Sequence, residues 1–140
     1  MTKNRMISFN KEDNEIVTEL FYSRQFKGLK LIDIFALAMV FGKQMGYRTP
    51  LEKKKIRRIS QRAVENSRVH FLMMAIALQE TYNSDILDNK DDYFTICEEY
   101  AKTGLPELKE AFLNPHHSFV QDLELEALEY YKFLEEQGEF

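Results

Sequence analysis

The residue types suited to metal or acid–base chemistry here are His116-His117, His70, Cys97 and the carboxylate pairs Asp91-Asp92 and Glu98-Glu99. Adjacent histidines project in different directions on most backbones, and a zinc site needs three or four converging ligands. No ligand spacing of a known metal motif accompanies them. His70 opens an apolar stretch and is expected as a partly buried, satisfied histidine; a general base would need a nucleophile or polarised substrate beside it. Cys97 falls on the apolar side of a helical pattern and is expected to pack as a small hydrophobe. Neighbouring carboxylates on a helix do not share a face, and Asp91 and Asp92 suit a helix start, where the dipole favours negative charge. Phosphate-cradling glycine loops, nucleophile elbows and Cys-x-x-Cys pairs are missing from the sequence. The expectation is therefore a protein without catalytic residues, metal or cofactor.

Charge is the stronger signal. Residues 43–68 hold nine basic side chains against two acidic ones, a net +7, whereas residues 79–140 hold sixteen acidic against four basic, a net −12. The overall −4 conceals this division. Lysine and arginine neutralise a phosphate backbone, and arginine adds bidentate contacts. Lys53, Lys54, Lys55, Arg57, Arg58 and Arg62 are the candidate contacts to a nucleic acid or an acidic partner. The alternative is a solvated segment paired with the protein's own acidic half. A second candidate surface is the stripe of Tyr130, Tyr131 and Phe133, for which core packing is favoured and docking into a neighbouring subunit is the alternative.

The elements that must position these residues are read from periodicity. Ile16, Val17, Leu20 and Phe21 mark a helix over 11–25, with Lys27-Gly28 as its stop. Leu29 to Tyr47 is apolar on nearly every face and predicts a central helix; its run from Leu29 to Phe41 contains Asp33 and is too short to span a bilayer. Residues 51–62 fit either a loop with a short strand near 56–60 or a helical turn. Val64 to Tyr82 predicts a second core helix packed on the first. Asp88 caps a fourth helix to Thr103 with Gly104 as its closing glycine, Pro106 opens a fifth that ends at Asn114, and Ser118–Gln121 opens an amphipathic helix over 118–137. The expected fold is all-α: one compact helical domain over 1–140, of about six helices, with its core in 11–113 and a possible short β element near 56–60. One cysteine and a polar start at Met1-Thr2-Lys3-Asn4-Arg5 favour a cytoplasmic protein that uses neither disulfide nor membrane.

Three stretches carry a resemblance. They are Leu31–Ala38 with Gly46-Tyr47-Arg48-Thr49-Pro50-Leu51, Ile76–Thr81 with Asp85-Ile86-Leu87, and Phe94 through Glu98-Glu99-Tyr100-Ala101 to Gly104-Leu105. Together they resemble the small accessory proteins encoded beside DNA-phosphorothioation (Dnd) modification and restriction genes in bacteria, over roughly residues 29–113. A homologue in another anti-phage defence operon fits as well. The resemblance implies a non-catalytic subunit acting with larger DNA-directed proteins, for example an ATPase or nuclease, and with duplex DNA as a further candidate partner. The alternatives are a stand-alone DNA-binding regulator and a small enzyme with dispersed residues such as His70 or His116.

Overall fold

The computed structural model describes residues 5–113, 128–133 and 135–136. Five helices and a two-stranded sheet follow in the order β1 (Ile7–Asn10), α1 (Lys11–Phe21), α2 (Leu31–Met45), β2 (Lys55–Ile59), α3 (Gln61–Glu65), α4 (Val69–Thr81) and α5 (Lys90–Leu113). Short 3-10 turns lie at Arg24–Phe26 and Ser84–Asp88, and residues 128–133 and 135–136 are helical. The fold is mostly α, with the small β element in the basic segment.

The centre is the crossing of α2 with α5. Ile34, Phe35, Ala38 and Met39 of α2 and Phe94, Cys97, Tyr100 and Leu105 of α5 are buried together. Two glycines let the backbones approach. A Cβ on Gly42 would sit inside van der Waals contact of the Tyr100 carbonyl, and one on Gly104 would stand 2.6 Å from Gly42 N. The core pair is therefore α2 with α5, which corrects the expectation that α2 pairs with the helix over 64–82. That stretch is itself two helices, α3 and α4, broken at Asn66–Arg68, where Ser67 Oγ accepts the Val69 N–H at 3.1 Å. Within α4, Ala75 is exposed and Ala77 is buried.

Gly104 does not end a helix, and the expected fourth and fifth helices are one. Asn89, rather than Asp88, receives the Asp92 N–H at 3.2 Å and so caps α5. The helix then runs through both Gly104 and Pro106. Proline inside a helix costs about 3 kcal/mol. Here Pro106 lies on the exposed side while Leu105, Leu108 and Ala111 bury the opposite one, so packing outweighs the local break. Helix α2 stops at Gly46, whose φ of 88° is the left-handed conformation of a closing glycine. Helix α1 stops at Phe21, short of the expected 25, and the 3-10 turn that follows drops Phe26 into the core against Phe112.

Strand β1 was not expected. Its four residues are all buried, and it pairs antiparallel with β2 through Ile7–Ile59, Ser8–Arg57, Phe9–Ile56 and Asn10–Lys55. The register skips Arg58, which is the extra residue of a β-bulge. No described helix is long and apolar enough to cross a membrane.

Candidate functional site

Helix α5 positions the basic segment through three polar ties. Glu98, buried, accepts Arg5 Nη2–H at 2.5 Å and the Ser8 N–H at 2.6 Å, which fastens β1. Lys102 Nζ donates to Asp13 at 2.9 Å and fastens α1. Glu99 accepts from Arg48 Nη1 at 3.0 Å through its carboxylate and from the Thr49 N–H at 3.2 Å through its carbonyl, while the Thr49 and Thr103 hydroxyls meet at 2.7 Å. Glu98 and Glu99 thus serve different faces, as neighbours on a helix must. Arg48 Nε also pairs with Glu80 of α4 at 3.1 Å, and Tyr100 donates its hydroxyl to that carboxylate. The stretches around Arg48, Glu80 and Glu99-Tyr100, which carry the family likeness, therefore meet in one clamp on the loop that leads to β2.

Burial works against the Arg5 charge, but the hydrogen bonds and charges of Glu98 and Asp91 outweigh it and hold its pKa above the usual arginine value. Tyr100 is shifted by burial first and then by its hydrogen bond to Glu80 and that group's charge, with Arg48 opposing, and is pushed up to about 12 from 10.0. Because the folded-state value is the higher one, Tyr100 contributes stability that is whole below pH 10 and is lost as pH rises from 10 to 12. Thermal melts across that window are expected to show a falling midpoint, with a shallower fall for Tyr100→Phe. The slope is not expected to vanish, because Tyr93 and Cys97 are also shifted upward by burial.

Beyond the clamp, buried Asn10 fixes the loop before β2. Its Oδ1 accepts the Glu52 N–H at 3.1 Å, and its Nδ2 donates to the carbonyls of Glu52 at 3.2 Å and Lys54 at 2.9 Å. Lys53, Lys55 and Arg57 then line one cleft of about 670 Å³ with Arg5, Ser8, Asp91 and Thr95. The side chains of Lys53, Lys55 and Arg57 enter no ion pair among the described residues, in contrast to Arg5, Lys43, Arg48, Lys90 and Lys102. The expected cluster is thus only partly assembled. Lys54 and Arg62 are exposed but do not line the cleft, and the bulge sends Arg58 to a different one. Arg5, Ser8 and Thr95 join the site unforeseen. Arg5 gives no sequence signal, being an isolated cation in a polar stretch. The basic residues that converge lie on a strand and its flanking loop, so they present no recognition helix.

The remaining candidates are placed as follows. His70 is partly buried, with Nε2 2.9 Å from the Tyr93 hydroxyl, and Cys97 is buried with Sγ 3.5 Å from the Met73 carbonyl. Both match the packing roles expected for them. Tyr130, Tyr131 and Phe133 are 64%, 47% and 53% exposed, and Leu128 is exposed with them, so core packing does not describe these side chains. His116, His117 and the start of the predicted 118–137 helix lie outside the described residues. Among the described residues no three His, Cys, Asp or Glu side chains come together as a metal site.

Comparison with known proteins finds no match among curated proteins or solved structures. A family model described as "DNA sulphur modification system-associated protein 4" matches residues 5–140, further in both directions than the likeness read over 29–113. The chain belongs to the family of DNA sulphur modification system-associated protein 4.

Proposed function

We propose that this protein is a non-catalytic accessory subunit that works with larger proteins of a bacterial DNA sulphur modification system, and that its basic cleft contacts duplex DNA along the phosphate backbone. The observation that carries the DNA contact is the convergence of Lys53, Lys55 and Arg57 on one cleft without ion-pair partners among the described residues. Ordered positive charge left unneutralised favours an anion from outside, and backbone phosphates present such anions in series. The exposed Tyr130, Tyr131 and Phe133, interspersed with Glu129 and Lys132, support a protein partner at these side chains. The family's association with DNA sulphur modification supports both contacts. In this reading the protein is a single cytoplasmic domain.

The DNA contact is tested by titrating duplex DNA at several salt concentrations. Binding is expected to weaken steeply with salt. The triple change Lys53→Gln, Lys55→Gln, Arg57→Gln is expected to weaken it at least about tenfold at moderate ionic strength and to reduce the log–log salt slope by about 2–3. Affinity that ignores both salt and these substitutions would remove DNA from the proposal.

A further inference from the structure

A second cleft, of about 780 Å³, opens beside the start of α2 and the β2–α3 junction. Its volume is in the range of small-molecule sites. The wall is mainly apolar and includes Phe21, Leu31, Ile32, Ile59 and Ala63. One cation is built into it. Arg58, the bulged residue of β2, lines the cleft, and its Nε is buried without a hydrogen-bond partner among the described residues. A buried N–H of a charged group that has no partner calls for an explanation, and bulges commonly re-aim a side chain at a functional site. Lys30 also lines the cleft. The acidic residue of the lining, Asp33, is engaged: its Oδ2 accepts the Lys30 backbone N–H at 2.8 Å at the start of α2.

We propose that this cleft binds a small amphipathic anion, with an apolar body against Phe21, Leu31 and Ile32 and a carboxylate or phosphate that accepts a hydrogen bond from Arg58. An apolar body accounts for the wall, and an anionic head supplies an acceptor to the Arg58 guanidinium, whose buried Nε has no hydrogen-bond partner among the described residues. The site adjoins the basic cleft at Met6, which lines both, but Arg58 lines only this one.

Octanoate and octyl phosphate are the probes, titrated calorimetrically into the full chain, with octanol and inorganic phosphate as controls. At least one probe is expected to bind saturably at one site and to raise the melting temperature; which one binds distinguishes a carboxylate from a phosphate head. Both controls are expected to bind at least tenfold more weakly. Arg58→Met is expected to weaken the probe at least tenfold. Ala63→Phe, which fills the cleft and leaves Arg58 in place, is expected to abolish probe binding while duplex DNA binding stays at the parent level. Circular dichroism establishes that each variant is folded. Absence of saturable binding by either probe, or undiminished affinity in folded Arg58→Met, would overturn the proposal.

Discussion

Gly104→Ala is expected to destabilise the protein by about 3 kcal/mol or more, although it adds a single methyl group. Helix propensity alone predicts the opposite sign, since alanine is better than glycine in a helix interior by about 1 kcal/mol. The crossing decides against propensity. The new Cβ would stand 2.6 Å from Gly42 N and 2.9 Å from the Ala38 carbonyl carbon, both of them backbone atoms that no rotamer change can move. The two helices would have to separate, and the contacts among Phe35, Met39, Phe94 and Tyr100 would open with them. Gly42→Ala is expected to act alike, because its Cβ would stand 2.7 Å from the Tyr100 carbonyl carbon. Gly46→Ala is the control: it has open space around its Cβ, and only the left-handed conformation disfavours it, by about 1 kcal/mol. Urea unfolding of the three variants checks the ranking.

Glu98→Ala is expected to cost about 3 kcal/mol by a different route. It removes the buried carboxylate that accepts from the Arg5 guanidinium and the Ser8 N–H at once, leaving a largely buried cation with Asp91 as its remaining counter-charge beside the neutral acceptors Met6 and Thr95, and a strand amide without a partner. An unsatisfied buried donor costs about 1–3 kcal/mol by itself. Arg5→Met leaves the Glu98 carboxylate buried without its cation and is expected to cost a similar amount. The two residues form one network, so the double variant is expected to lose clearly less than the sum of the single losses. Denaturant midpoints of the four proteins give that coupling. The consequence extends to the basic cleft, because β1 is the partner strand of β2 and its Asn10 holds the loop bearing Lys53 and Lys54. Duplex affinity is expected to fall in Glu98→Ala although Lys53, Lys55 and Arg57, the proposed contacts, are unchanged.

Helix α2 and the apolar side of α5 were legible because their burial follows helical periodicity, and the strand near 56–60 was legible as one of two options from Ile56 and Ile59. The fused α5 was not, since Gly104 and Pro106 are local stop signals that tertiary packing overrides. The choice of core pair was not legible either: α2 and α4 are both apolar on most faces, and the feature that decides, Gly42 against Gly104, is a relation between distant residues. Strand β1 is four residues abutting a helix, too short to show its own period. In the candidate site the charges themselves could be read, but their division could not. A bulge at Arg58 changes which face each later side chain occupies, and its position follows from the pairing with β1. The aromatic stripe at 130–133 illustrates the limit of composition, because the same pattern serves a core or a docking face.

In the proposed role this chain acts as a subunit beside larger proteins. The direct measurement is affinity purification of the tagged full chain from its native host after nuclease digestion of the lysate, with the mass of the recovered species determined. Larger proteins of the sulphur modification system are expected to be recovered with it and to stay bound without nucleic acid. Recovery of a monomer alone, from cells in which that system is expressed, would overturn the subunit role.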